Sequence, residues 1–325
     1  MRPLPALAAD PPAWTSPAVE LDEPLLDADD QIDDEVELPR IPIPGIERNV
    51  RLEAALDTGF VVGSEYSNTT VNDTNSRFTF DAGTPLSHLV AVGVRARTGV
   101  RAFHFDGDGQ FLDAGKNTGE PFDELFQHSI TLGTRIGLTE WLELTIAGRG
   151  IARHEEGARF SKALEGGGSV SFQGRYRDWM RLRLGVAVGS RFSDSKVQVG
   201  PVFRLRVRLH PRVWAETSGR KGRIEFTVNE RIRIDLFGGN DGSRYRLKDR
   251  RDGSGGVGQG SLRLKRTNVG IGTRLQLTKG LRILLEAGAV LTQTLEILDE
   301  DDNSFDERST REPAFQGRVA LKWKF

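Results

Sequence analysis

No cysteine occurs anywhere in the chain, methionine appears only twice, and no apolar run approaches the roughly 18 residues that a membrane-crossing helix needs. Disulfide scaffolds, thiolate nucleophiles, cysteine-built zinc sites and helical membrane proteins are therefore excluded. A surplus of positive charge is lacking as well: 45 Lys+Arg stand against 46 Asp+Glu, so nucleic acid is not expected as a partner. Helix signals are nearly absent, and no Gly-rich phosphate loop precedes a helix. What remains is a chain of 325 residues with 37 glycines and 37% hydrophobic residues, long enough for one large domain or two ordinary ones.

The near-zero balance hides an asymmetry. Residues 1–48 hold 12 acids and 3 bases, which leaves 34 acids against 42 bases in residues 49–325. The leader combines Pro-rich stretches (Asp10-Pro11-Pro12 and Pro39 to Pro44) with the acidic run Asp27 to Glu37 and no apolar period. That composition predicts a disordered or extended segment. Its first residues, Met1-Arg2 and then Leu4 to Ala9, resemble the end of a secretory signal with a short apolar part.

From Asn49 onward the period is two, the mark of a strand with two unlike faces. Val50, Leu52, Ala54 and Leu56 alternate with Arg51, Glu53, Ala55 and Asp57. Val197 to Leu209 keeps the pattern for thirteen residues, its apolar set opposing Gln198, Gly200, Arg204, Arg206 and Arg208. Connections alternate in length. Short turns fall near Pro85, Thr139, Asp178, Pro211, Asn229 and Lys279; longer polar segments lie at 106–122, 154–167, 248–260 and 297–313, with shorter ones near 67–75, 191–195 and 219–222. The strands between them number fourteen: 50–63, 76–83, 88–105, 123–137, 141–153, 168–177, 180–190, 196–209, 212–218, 223–229, 231–247, 261–277, 281–296 and 314–325. Short turns on one side and long loops on the other predict an all-β, antiparallel up-and-down transmembrane barrel over 49–325. The competing soluble sandwich would use strands of about 5–6 residues, and many here run to ten or more.

The stretch Ala314 to Phe325 places Val319, Leu321, Trp323 and Phe325 on one face. It resembles the C-terminal strand of bacterial outer-membrane β-barrel proteins of the porin-like kind. The resemblance implies an outer-membrane location, recognition of the terminal aromatic by the barrel-assembly machinery, and lipid and lipopolysaccharide as surroundings. An even strand number puts both ends in the periplasm, where residues 10–48 could meet a periplasmic or envelope protein. Trp141, Trp179, Trp214 and Trp323 are expected in the interfacial aromatic girdle.

A lipid-facing apolar side assigns the polar side to the lumen. The densest basic set comprises Arg175, Arg177, Arg181, Arg183, Arg204, Arg206 and Arg208, joined by Arg231 and Arg233; the inward acids are Glu53, Asp57, Glu143, Glu216, Glu225, Asp235 and Glu286. Such a lumen attracts anions, because low-dielectric walls focus the field and guanidinium grips carboxylate or phosphate in two places. Alternatively the arginines brace a closed barrel by pairing with Glu143, Glu216, Glu225 and Asp235 on neighbouring strands. Three functions follow: a passive or substrate-specific pore favouring anions, a non-conducting scaffold barrel, or an outer-membrane lipid hydrolase. Catalysis has little to build on. His128 and Ser129 are adjacent, hence on opposite faces, and His104 beside Asp106 or Asp108 is a common loop pattern. Asp106-Gly107-Asp108 opens like a calcium loop but lacks the glycine and glutamate that an EF-hand needs at later positions, and Glu300-Asp301-Asp302 is a solvated loop beside which lipopolysaccharide cations could sit. No cofactor or resident metal is expected. An acidic segment at 22–37 could also enter the basic lumen as a tethered plug.

Overall fold

The computed structural model describes residues 50–66, 69–87, 89–107, 122, 124–190, 197–249, 260–299 and 303–325. The leader at 1–48 and its plug segment, His88, Asp108, and Glu300 to Asp302 lie outside the described residues. Strands follow one another as β1 (Arg51–Tyr66), β2 (Thr69–Pro85), β3 (Val90–Asp106), β4 (Leu125–Gly137), β5 (Leu142–Glu155), β6 (Leu164–Tyr176), β7 (Met180–Ser190), β8 (Val197–His210), β9 (Val213–Ser218), β10 (Lys221–Thr227), β11 (Ile232–Arg246), β12 (Ser261–Gln276), β13 (Leu281–Leu298), β14 (Ser304–Ser309) and β15 (Ala314–Lys324). Each pairs antiparallel with its sequence neighbour up to β13, and β15 lies between β13 and β1. The sheet closes as a fourteen-strand barrel, since β14 adds only to the outer end of β13.

Burial follows the alternation. On β1, Leu56 keeps 45% of its surface while its neighbour Asp57 keeps 9%, so the acid points inward and the leucine outward. The fourteen expected strands are all present. Three connections prove shorter than the sequence suggests: β2 begins at Thr69, β6 at Leu164 and β10 at Lys221, while β14 occupies part of 297–313. These additions are polar because they extend beyond an apolar band, where both faces meet water or protein. The one helical element among the described residues is the short 3₁₀ turn Phe160–Ala163.

The two ends of the barrel differ. At its outer end, the end of the long loops, β11 leans across to β5, where Arg246 pairs with His154 in a parallel bridge and the Lys248 backbone N–H donates to Glu155 Oε2 at 2.8 Å. This leaves a smaller ring of nine strands, β1–β5, β11–β13 and β15, while β6–β10 remain to one side. Two bulges turn side chains into that ring. One lies between Val61 and Ser64, where Gly63 adopts φ 79° and its N–H donates to Asn72 Oδ1; the other places an extra residue, Leu291, between Val290 and Thr292. Each reverses the inward phase of its strand. Tyr66, Leu295 and Ile297 thereby join Val71, Phe122, Leu125, Tyr245, Leu247, Leu262 and Leu264 in a buried apolar core, with Phe103 and Phe105 against it. Phe122 meets both phenylalanine rings edge-on, at 5.0 and 5.3 Å.

Tight curvature at β6–β7 depends on a missing side chain. Ser171 faces Gly185, and a Cβ on Gly185 would collide with the Val170 carbonyl oxygen and lie 2.5 Å from Ser171 Cβ. Gly185→Val should therefore force the two strands apart, at a cost of about 2 kcal/mol. Its readout is a lower urea midpoint for the heat-modifiable folded band on electrophoresis; an unchanged midpoint would mean that the sheet relaxes freely there.

Candidate functional site

The barrel interior divides by charge. On one side an ion-pair chain crosses eight neighbouring strands from β8 to β1. Arg204 reaches Glu216 at 2.8 Å, and Arg206 reaches both Glu216 at 3.7 Å and Glu225 at 3.3 Å. Glu225 also receives Arg233 at 3.3 Å and Arg274 at 2.8 Å. Arg274 then meets Asp235 at 3.2 Å, Arg223 links Asp235 at 3.9 Å to Glu286 at 3.3 Å, and Arg318 joins Glu286 at 3.2 Å to Asp57. The bracing foreseen for Glu216, Glu225 and Asp235 is thus present and continues through Glu286 and Asp57, while Glu143 meets Arg135 at 3.5 Å on β4–β5.

On β6–β8 the bases outnumber nearby acids. Arg175 stands directly opposite Arg181, and Arg181 opposite Arg206; one row away, Gln173 faces Arg183 and Arg183 faces Arg204. Like charges in register repel. Glu216 offsets part of this from β9, and Arg183 Nε donates to Ser171 Oγ at 2.8 Å. Arg208 donates to the Pro211 carbonyl and lies with Arg206 over the Trp214 ring, at 5.7 and 4.9 Å from its centroid. Trp214 therefore points inward, on the Glu216 side of β9, and leaves the expected girdle. Arg177 sits in the β6–β7 turn at φ 48° with its guanidinium over Tyr176, apart from the inward rows, and Arg231 is exposed at the foot of β11.

Solvent access differs around the lumen. Side chains of Arg204, Arg206, Arg223, Arg233, Arg274 and Arg318 keep 26–48% of their surface. Arg95, in the short-turn half of β3, and Arg153 and Arg266, toward the outer end, keep only 4–9%. Their partners are Asp81, Glu165 and, from β2 on the facing wall, Asp73. Arg101 Nη1 likewise spans the interior to Ser243 Oγ at 3.4 Å. These inward residues add to the lumen set read from the sequence. The β6–β8 side that carries the rows of arginine is water-accessible, whereas the β2–β3 side around Arg95 and the outer end are packed.

The outer surface decides the solvent. Leu52, Leu56, Phe60, Phe78, Phe80, Ile130, Leu132, Ile146, Phe172, Leu184, Val186, Leu236, Ile271, Leu285 and Val319 are all exposed on outward faces around the wall. No water-soluble monomer carries so continuous an apolar band. This is a membrane-spanning β-barrel of the outer-membrane type. Trp141 and Trp179 are exposed beside the short turns, and Trp323 shares the outward face of β15 with Val319 and Leu321, as interfacial aromatics should. The Phe325 N–H donates to the Leu52 carbonyl at 2.9 Å, extending the β15–β1 seam to the last residue of the sequence.

His128 and His154 also lie on an outward face, stacked with Phe126, with the Phe160 ring tilted against His128 and edge-on to His154, and with His128 Nδ1 3.0 Å from Thr98 Oγ1. His210 Nδ1 accepts from the Arg212 N–H in a turn. Among the described residues no cluster of three or more potential metal ligands occurs, and no helix is long and apolar enough to cross a membrane.

No family model and no curated protein matches the sequence. Among solved structures, an outer membrane channel from Pseudomonas putida F1 is similar at 9% identity and TM-score 0.47, over 87% of this chain and 100% of that one. KdgM porin, solved with oligogalacturonate, follows at 6% identity and 0.33, over 83% and 99%. The translocator domain of the autotransporter NalP from Neisseria meningitidis gives 9% and 0.32, over 87% and 90%. The barrel assignment rests on the strand pairing and the apolar band themselves.

Proposed function

We propose that the protein is a substrate-specific passive channel of the bacterial outer membrane that favours anions. One observation carries this reading: the water-accessible part of the lumen presents Arg175, Arg181, Arg183, Arg204 and Arg206 in adjacent rows, with Glu216 paired to Arg204 and Arg206 and Glu225 paired to Arg206. The surrounding wall has a low dielectric, so the unbalanced charge acts over the width of the lumen and concentrates anions. Carboxylate, sulfonate or phosphate groups suit guanidinium rows best. The packed outer half argues for selectivity and against a wide general pore. Both termini then lie at the short-turn, periplasmic side, from which the acidic leader would extend.

The apolar core at the outer end favours a second reading, a closed scaffold barrel. Planar-bilayer recording separates the two. The channel should give discrete steps and a reversal potential on the chloride side in a potassium chloride gradient, fading toward 1 M salt as the screening length falls to about 3 Å. Absence of steps from verified, inserted protein would favour the scaffold, and cation preference would overturn the anion reading.

A further inference from the structure

β9 and β10 hold 6 and 7 residues, whereas β8 and β11 on either side hold 14 and 15. At about 3.3 Å per residue and a tilt near 40°, a six-residue strand climbs about 15 Å, short of an apolar band about 25 Å tall. The hairpin turns at Gly219 and Arg220. Its last bonds run from Gly219 N–H to the Phe203 carbonyl at 3.1 Å and from Asn240 N–H to the Arg220 carbonyl at 3.4 Å. Above it, Val197 to Val202 of β8 and Asp241 to Tyr245 of β11 pair with β7 and β12, and on the other side with no strand among the described residues. Among the described residues the wall has a gap there.

Backbone directions define its rims. Arg208 N–H donates toward β7, to the Trp179 carbonyl, and Phe203 accepts from the β9 side. Alternate residues Val199 and Pro201 therefore aim their main-chain groups into the gap. Pro201 has no N–H to leave unpaired, and such a residue suits a free edge. On β11, Ile232 accepts from β10, so Gly242 and Arg244 point to the gap in the same phase. Hydrocarbon does not tolerate open strand edges. The rims must meet water or protein.

Chemistry on the two sides of the gap differs. Outside and below it lies a recess of about 460 Å³, lined by Leu205, Val207, Ala215, Ile224 and Leu236 with space left by Gly222. Inside, Arg183 and Arg204 stand in the row of Ser218, at the top of the short hairpin, and Arg220 is exposed on the lower lip. Straight ahead, the apolar core and the Asp73–Arg266 pair fill the outer end. We propose that the gap between β8 and β11 is a wetted side window through which amphipathic anions, an acidic head on an apolar tail, pass between the lumen and the outer leaflet. The head would follow Arg220 to Arg204 and Arg183 while the tail stays in the recess. This deepens the channel reading and rests on it.

Two experiments test the window. The chain has no cysteine, so single cysteines label uniquely. Val188 and Val199 are directly paired and both face outward, and only Val199 borders the gap. In proteoliposomes a membrane-impermeant maleimide should modify Val199→Cys about tenfold faster than Val188→Cys, because thiolate forms only where water reaches. Equal rates would overturn the window whatever the protein conducts. The second experiment compares release of decanesulfonate and methanesulfonate from proteoliposomes. Gly222→Trp fills the recess, where an added Cβ meets open space. It should slow decanesulfonate about tenfold by occupying the apolar site, and leave methanesulfonate near wild type. Passage of methanesulfonate alone by the wild type, or decanesulfonate flux indifferent to Gly222→Trp, would overturn the window and leave the channel standing. If neither anion crosses, the channel reading falls, and the cysteine comparison still judges the window.

Discussion

Arg266→Met should lower the stability of the folded barrel by about 3 kcal/mol or more, the usual cost of leaving one member of a buried ion pair alone. Asp73 is 3% exposed and sits on the facing wall from Arg266, whose Nε also donates to Gln293 Oε1 at 2.8 Å. Without the guanidinium, the carboxylate must stay charged beside the apolar core or bind a proton. The paired replacement Asp73→Leu with Arg266→Met removes both charges, and should recover most of the loss, since a well-packed apolar pair often matches a buried ionic one. Urea titration of the heat-modifiable band in lipid vesicles measures the cycle. A single variant that unfolds at the wild-type midpoint would show that water reaches Asp73, and with it that the outer end is open.

That outer end is also where the sequence says least. The period of two is plain along β7 and β8, where apolar residues alternate with arginine in the short-turn half and mostly with small or polar residues beyond it, so the strands and the lumenal side are legible there. At Gly63 and Leu291 one extra residue reverses the phase. Tyr66, Leu295 and Ile297 then turn inward, although a continued alternation from Asp57 or Glu286 would send them out. No composition signal marks this, because the bulge is a pairing event between strands and not a property of either one. Thr69 to Asn75 reads as a polar connection for a similar reason: it extends β2 beyond the lipid, where the outward Asn72 and Thr74 need no apolar character. Inward Asp73 and Val71 are hidden in it. Trp214 misleads in the opposite way. Its place after a short turn suits a girdle, but the register with Glu225 fixes it on the inner face, under two arginines. The arginine rows were legible as types and faces, and Glu216, Glu225 and Asp235 as candidate partners, whereas which acid meets which arginine was not. Glu225 lies near Arg206, Arg233 and Arg274 only because four strands bring them together.

The same charges allow two substitutions that should move ion selectivity in opposite directions. Replacing Arg181, Arg183, Arg204 and Arg206 with glutamine removes four positive charges from the open half of the lumen and leaves Glu216, formerly paired with two of them, unneutralised. The reversal potential in a low-salt gradient should fall to zero or cross to the cation side. Glu225→Gln acts the other way. It releases Arg206, Arg233 and Arg274 from a nearly buried carboxylate, and Asp235, directly opposite Glu225, still holds Arg274. Glutamine can accept only part of what the carboxylate did, so the field at the lumen surface becomes more positive and chloride preference should rise. Some stability is lost with it, because three guanidiniums then repel. Both shifts should shrink together at 1 M salt, where a screening length of about 3 Å confines each charge to its neighbours. Matching shifts of one sign from the two variants would mean that selectivity is set outside these rows, at the mouths of the barrel.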